Sequence, residues 1–156
     1  QFIPSSYRHY AVDFDGDGKR NILTNPVDAI GSVANYFKRH GWRSGELVTL
    51  PAQLKGKVDD KLFNGKLKPS KSLADWQSLG VSAKKPSAAL KGDSLATAMK
   101  MRIGKQSEHW LGLHNFYVIT RYNHSRLYAM AVYQLSQQIL EAKRRADAVA
   151  TASGQA

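Results

Sequence analysis

Apolar residues recur at helical spacing in two stretches of the chain and break into short runs between them. Val27, Ile30, Val33, Ala34 and Phe37 form the first such face. Asn25-Pro26-Val27-Asp28 opens it: asparagine caps, proline suits the first helical position, and Asp28 falls in the positively polarised first turn. Gly41, after Arg39 and His40, closes it. In the second stretch Leu127, Ala131, Leu135 and Ile139 fall four apart, and Met130, Val132 and Leu140 widen the stripe. Asn123 or Ser125 supplies its cap. The small and polar residues from Ala146 to Ala156 are expected to fray.

Between these helices, from residue 46 to about 104, the pattern changes. Leu47-Val48-Thr49-Leu50 reads as a short strand that Pro51 ends. Ala98-Met99-Lys100-Met101-Arg102-Ile103 alternates apolar and basic residues, the mark of a half-exposed strand. Ser72-Leu73-Ala74-Asp75-Trp76 reads as a helix start, with Ser72 as cap and Asp75 three residues on. A structureless loop of this length is rare in a compact domain, so the stretch is read as a small inserted α+β subdomain. The expected division is therefore 1–45, 46–104 and 105–156, the last returning to the body that the first begins.

The 156 residues suffice for about one domain with a sizeable core. No run of 18 apolar residues crosses a membrane. With no cysteine there is no disulfide and no thiolate chemistry. The formal net charge of +11 points to an acidic partner: nucleic acid, an anionic membrane surface or an anionic cell-wall polymer. The lysines cluster between Lys55 and Lys105, and a second basic group, Lys143-Arg144-Arg145, ends the last helix. The plain alternative for both is a soluble charged surface. Gln1-Phe2-Ile3-Pro4 has no initiator methionine and no signal peptide, and its apolar residues need a core partner at once, which reads as a cut through a larger protein.

Asp13-Phe14-Asp15-Gly16-Asp17-Gly18 places three carboxylates at alternate positions and a glycine at the sixth, like the start of an EF-hand calcium loop. Carboxylates this close repel unless solvated or gathered around a cation. Position 7 is Lys19, which offers a backbone carbonyl. Position 12, normally a bidentate glutamate, is Thr24, so Asp28 becomes the candidate closing ligand. A solvated Asp/Gly turn without an ion is the other reading.

No complete catalytic site is visible in the residues. Glu46, Glu108 and Glu141 are scattered, and no carboxylates are placed as an acid and base pair. His9, His40, His109, His114 and His124 have no metal-ligand spacing, and there is no G-x-S-x-G elbow or phosphate-cradling glycine loop. Tyrosines with polar neighbours stand out instead: Tyr36, Tyr122-Asn123 and Tyr128. Tyrosine rings stack on sugar or base faces and their hydroxyls donate hydrogen bonds, although ordinary half-buried tyrosine is the more frequent case.

Several segments together resemble one family: Gln1-Phe2-Ile3-Pro4-Ser5-Ser6-Tyr7, Tyr10 to Gly18, Asp28 to Phe37 with His40-Gly41-Trp42, and Ile119 to Ser125 with Tyr128 to Val132. The chain is similar to the membrane-bound lytic murein transglycosylase B family (glycoside hydrolase family 103). The resemblance covers residues 1 to 42 and 115 to 135, with a weak match between. It implies a mainly helical α+β fold: part of a lysozyme-like core, an EF-hand-like metal loop and a small inserted β-containing subdomain. It implies cleavage of the MurNAc–GlcNAc bond of peptidoglycan without water. One glutamic acid protonates the leaving oxygen, then acts as base while the MurNAc 6-hydroxyl closes a 1,6-anhydro ring.

In the family that glutamate lies upstream of the Gln-Phe motif, so no catalytic residue is expected within these residues. The resemblance implies glycan contacts at Gln1, Phe2, Tyr36, Tyr122, Asn123 and Tyr128. It implies structural Ca²⁺, or Na⁺ in its place, on Asp13, Asp15, Asp17, the Lys19 carbonyl and Asp28, with no organic cofactor. The expected partners are peptidoglycan glycan strands and an upstream part of the same protein, in a monomer that binds no nucleic acid. The expected place is the Gram-negative periplasm, with a lipid anchor in the outer membrane as one form. The alternative is a non-catalytic glycan-binding module.

Overall fold

In a computed structural model that describes residues 2–85 and 87–153, helices flank one antiparallel sheet. In chain order the elements are α1 (Pro4–Tyr10), α2 (Pro26–Arg39), β1 (Thr49–Leu54), a 3-10 turn (Asp60–Leu62), β2 (Lys71–Ser72), α3 (Leu73–Ser78), β3 (Val81–Ala83), β4 (Leu95–Ile103), β5 (Gln106–Gly112), α4 (His114–Tyr122) and α5 (Arg126–Ser153). The sheet runs β2-β4-β5-β1-β3.

The expected caps form. The Asn25 side chain accepts from the N–H groups of Val27 and Asp28 at the head of α2. Ser72 and Asp75 close a reciprocal capping box on α3. Ser125 Oγ accepts from Tyr128 N–H at 3.2 Å and so caps α5. α2 stops at Arg39, and Gly41 follows at φ +87°.

The strands differ from the sequence reading in three places. Pro51 does not end its strand but sits inside β1, opposite Trp110 of β5. Its carbonyl accepts Lys84 N–H just past the end of β3, so the N–H that proline lacks would face the frayed end of that ladder. β4 is not half-exposed over its first part: Ala96 and Ala98 pack into one cluster with Phe63, Trp76, Val81 and Leu111, while Met99 and Met101 pack into another with Phe116, Ile119 and Met130. Both faces are covered because α3 and the 3-10 turn lie on one side and α4 and α5 on the other. The division expected after residue 104 falls within the β4–β5 hairpin, and the sheet continues to Gly112.

The helical faces depart further. α2 buries Asp28, Gly31, Ser32 and Tyr36, while Val27 is exposed and Ile30 is 71% exposed. The buried side is the polar one because the segment before it supplies partners: Val12 N–H donates to Ser32 Oγ at 3.0 Å, and Asn35 Nδ2 donates to the Tyr10 carbonyl at 2.9 Å. α5 buries Ala129 and, of the expected stripe, Met130, with Val132 packed against the same cluster, whereas Leu127, Leu135 and Ile139 stand exposed. The expected fraying is absent from Ala146 to Ser153, where α5 runs on, and the remaining residues 154–156 lie outside the described residues. Alanines favour helix there, and the pairs Lys143–Asp147 and Arg145–Glu141 brace successive turns.

Candidate functional site

Two groups of residues lie along the buried side of α2, one at its first turn and one toward its end. The first is the acidic loop. One oxygen from each of Asp13, Asp15, Asp17 and Asp28 lies within 4.8 Å of the others. Oxygens on opposite sides of one Ca²⁺ stand about 5 Å apart, twice a bond of roughly 2.3–2.6 Å, so the spacing and the all-oxygen donor set fit a hard cation.

Backbone N–H groups shape the loop. Asp13 Oδ1 accepts from Gly16 at 2.7 Å and its Oδ2 from Gly18 at 2.8 Å. Gly18, the sixth-position glycine, adopts φ +85°, a backbone region that side chains disfavour. Lys19 N–H donates to Asp17 Oδ1 at 2.8 Å, which fixes the seventh position beside the acids. Asn25 has two duties: besides capping α2, its Nδ2 donates to Asp15 Oδ2 at 2.7 Å.

Asp28 is fully buried. Its Oδ1 accepts Phe14 N–H at 2.7 Å and its Oδ2 accepts Asn21 N–H at 2.8 Å. The bonds from Asn21 and then Phe14 hold its carboxyl below the usual aspartate range. Asp28 thus clamps the two ends of the loop to the first turn of α2, and its carboxylate, which the Asp15 N–H also approaches, keeps acceptor capacity for an ion. Phe14 lies against Gly31, where a Cβ would come within 2.4 Å of its ring.

The second group is aromatic. Phe2 lies 5.9 Å from Tyr36 and 6.0 Å from Tyr122, ring centre to ring centre. Tyr36 meets Tyr122 edge-on at 5.4 Å, and Tyr122 stacks toward Tyr128 at 6.3 Å. The described residues among those singled out for glycan contact are therefore gathered in space; Gln1 lies outside the described residues.

Their roles differ. Tyr36 is buried, and its hydroxyl donates to the Arg121 carbonyl at 2.7 Å. Tyr128 and Asn123 are exposed, and Tyr122 is half-buried. The Asn123 backbone is extended, and its Oδ1 accepts Ser125 N–H at 3.0 Å, while its exposed amide N–H groups have no protein partner among the described residues. Burial pushes the phenols of Tyr36 and Tyr122 above their ordinary value, so both remain neutral donors.

Tyr10 and His40 also belong to this cluster. Tyr10 meets Tyr36 at 4.8 Å and His40 stacks on it at 3.9 Å. The sequence carried a weak signal for His40 in its position four after Tyr36, on the same helical side. The glutamates are committed elsewhere. Glu46 pairs with Arg43, Glu108 accepts from Trp110 Nε1, and Glu141 pairs with Arg145.

Residues 1–137 match the transglycosylase SLT domain family. The chain belongs to this family. Membrane-bound lytic murein transglycosylase B of Escherichia coli (strain K12) is 48% identical to this SLT-domain chain over 143 residues, 92% of the chain and 37% of the relative. The Escherichia coli lytic transglycosylase SLT35, solved in complex with calcium, is 45% identical with a TM-score of 0.77, covering 91% of this chain and 43% of that one. SltB3 from Pseudomonas aeruginosa, solved in complex with NAG-NAM-pentapeptide, is 40% identical with a TM-score of 0.71, covering 85% of this chain and 35% of that one. The SLT-domain chain thus spans less than half the length of these relatives. Its α+β architecture, helices around a five-stranded sheet, is the one they share.

Proposed function

We propose that this chain forms the metal-loop part and one wall of the glycan cleft of a periplasmic lytic transglycosylase. The reaction is cleavage of the MurNAc–GlcNAc bond of peptide-bearing peptidoglycan with formation of 1,6-anhydroMurNAc. The observation that carries the reading is the packed group of Phe2, Tyr36, Tyr122 and Tyr128 beside the extended Asn123, in a member of this family. Tyr122 and Tyr128 offer ring faces to a sugar, and the Asn123 amide offers a fixed donor. Tyr36 acts by holding Tyr122 and the last turn of α4 in place. Gln1 is carried as a further glycan contact.

The proton-donating glutamate is proposed to come from protein outside these residues, because none of Glu46, Glu108 and Glu141 joins the aromatic group. The exposed apolar sides of α2 and α5 support a second helical part that covers them, as the relatives' greater length allows. In this arrangement residues up to about 45 and from about 113 form the body of the core, and the sheet between them is the insertion. The loop is proposed to hold Ca²⁺ in an EF-hand-like manner through Asp13, Asp15, Asp17, the Lys19 carbonyl and Asp28. The ion would neutralise the clustered acids and fix the loop to α2, with no part in bond cleavage.

Co-sedimentation with insoluble peptidoglycan tests the cleft. The chain is expected to bind, and Tyr128→Ala to weaken binding about tenfold, the loss of one sugar-stacking ring at roughly 1–1.5 kcal/mol. Unchanged binding in that variant sinks the cleft assignment. Release of 1,6-anhydro products by the chain alone, read by mass spectrometry, sinks the external source of the acid. Binding without any cleavage in the full-length protein would favour the alternative, a glycan-binding module.

A further inference from the structure

Between the helical body and the sheet lies a groove of about 650 Å³, away from the aromatic group. One wall is the loop after α2, with Arg43, Glu46 and Leu47; the other carries Lys68 and Leu95, and Leu113 at the head of α4 lies in its floor. We propose that this groove holds a short acidic peptide with small alkyl side chains, the stem peptide of a peptide-bearing glycan strand. The proposal rests on the functional reading above and assigns the stem its own surface.

The wall is built, not incidental. Asn115 is fully buried, and its side chain accepts Arg43 N–H at 2.9 Å and donates to the carbonyls of Arg43 and Glu46 at 2.7 and 3.1 Å. That clamp fixes the loop which presents the Arg43 guanidinium. Arg43 meets Glu46 through a single 3.5 Å contact with both side chains more than half exposed, so most of its donor fork stays open.

Lys68 has no carboxylate partner among the described residues. Lys91 likewise has none, and it lines a second groove of about 400 Å³ that shares Leu90 with the first. Leu47 and Leu95 are exposed apolar side chains along the same path. Arg43, Lys68 and Lys91 outnumber the one carboxylate of Glu46 along these grooves, and with their aliphatic walls they complement a peptide of free carboxylates and alanine methyls.

Reach agrees. His114, at one end of α4, lines the groove, and Tyr122, at the other end, belongs to the cleft. Nine helical residues span about 13 Å, and five extended residues span roughly 17 Å. A stem rooted on a sugar at Tyr122 is long enough to enter the groove.

The test is NMR titration of the chain with three probes: the free pentapeptide Ala-γ-D-Glu-diaminopimelate-D-Ala-D-Ala, the same peptide with its carboxylates amidated, and a peptide-free GlcNAc–MurNAc oligosaccharide. The free pentapeptide is expected to shift the amides of Arg43 to Leu47 and of Lys68, to bind about fivefold more tightly than its amidated form, and to lose about fivefold in Lys68→Glu. Unmoved groove amides, equal binding of the two peptides, or an unaffected Lys68→Glu variant would each overturn the proposal. The oligosaccharide reads the cleft independently. If it shifts Tyr122 and Tyr128 while the pentapeptide leaves the groove unmoved, the functional reading stands and this inference fails. If it binds nowhere while the pentapeptide fills the groove, the reverse holds.

Discussion

Gly31 is conspicuous less for its backbone than for what lies over it. A methyl group there would meet Cγ of Phe14 at 2.4 Å and its Cβ at 2.6 Å, too near the backbone for a rotamer change to relieve. Phe14 N–H is also one of the two donors to Asp28, so moving it loosens the acidic loop. Gly31→Ala is expected to destabilise the chain by about 1–3 kcal/mol and to weaken calcium binding, both read by thermal melts with and without Ca²⁺. The double variant with Phe14→Ala should not recover the loss, because the Cβ 2.6 Å away remains.

The loop itself gives a second measurement. Calcium should raise the melting temperature, by about 2.7 kcal/mol of added stability at a hundredfold excess over Kd. Asp15→Ala should abolish the increase, whereas an unchanged melting temperature in millimolar calcium argues against a calcium site. These acids were legible in the sequence because alternate aspartates followed by glycine have few other uses. The clamp from Asp28 to Asn21 was not legible, because it joins residues through a turn whose path no spacing reveals.

At the scale of elements, the sheet shows how a strand's surroundings escape a one-dimensional reading. Alternation in β4 was visible, but alternation cannot tell water from a helix packed on the second face. His109 illustrates the cost. It faces Lys100 across the β4–β5 ladder and touches the Phe63 ring at 4.9 Å. Burial, and then the Lys100 and Lys84 charges, lower its pKa against a partial opposing pull from Asp60.

The folded state therefore binds the His109 proton less readily than the unfolded chain does. Stability from this residue is present above the unfolded value of 6.5 and is lost as pH falls through the lower folded value. Denaturant melts should show that decline, and His109→Gln should flatten it. Asn115 is the opposite case, an uncharged residue that ties α4 to the loop after α2. Asn115→Ala removes three bonds from a buried site and should cost about 2–4 kcal/mol, measured by urea unfolding.

For the molecule as a whole, periodicity found both long helices but only part of each buried side: Phe37, Met130 and Val132 pack into or against the core, while Ile30, Leu135 and Ile139 do not. Helical spacing of apolar residues records which side favours burial, and it does not name the partner. In α2 the polar side is satisfied by the loop and by α1, so Ile30 faces outward; in α5 the same is true of Leu135 and Ile139. Leu135→Gln and Ile139→Gln should accordingly change the stability of this chain by less than about 0.5 kcal/mol, a small effect for residues of this size. Larger losses would mean that these side chains are already covered. Dye binding to exposed apolar surface should drop in the same variants.

Asn25, which serves helix and acidic loop at once, has one further chemical consequence. Asparagine ages by attack of the following backbone nitrogen on its side-chain carbonyl, closing a succinimide that opens to aspartate. Here the following residue is Pro26, whose nitrogen carries no hydrogen to lose. An aspartate at 25 would turn the N–H offered to Asp15 into a fifth negative charge among the acids. The proline that starts α2 therefore also guards the loop against slow hydrolytic damage, and peptide mapping after prolonged alkaline incubation should find Asn25 unconverted.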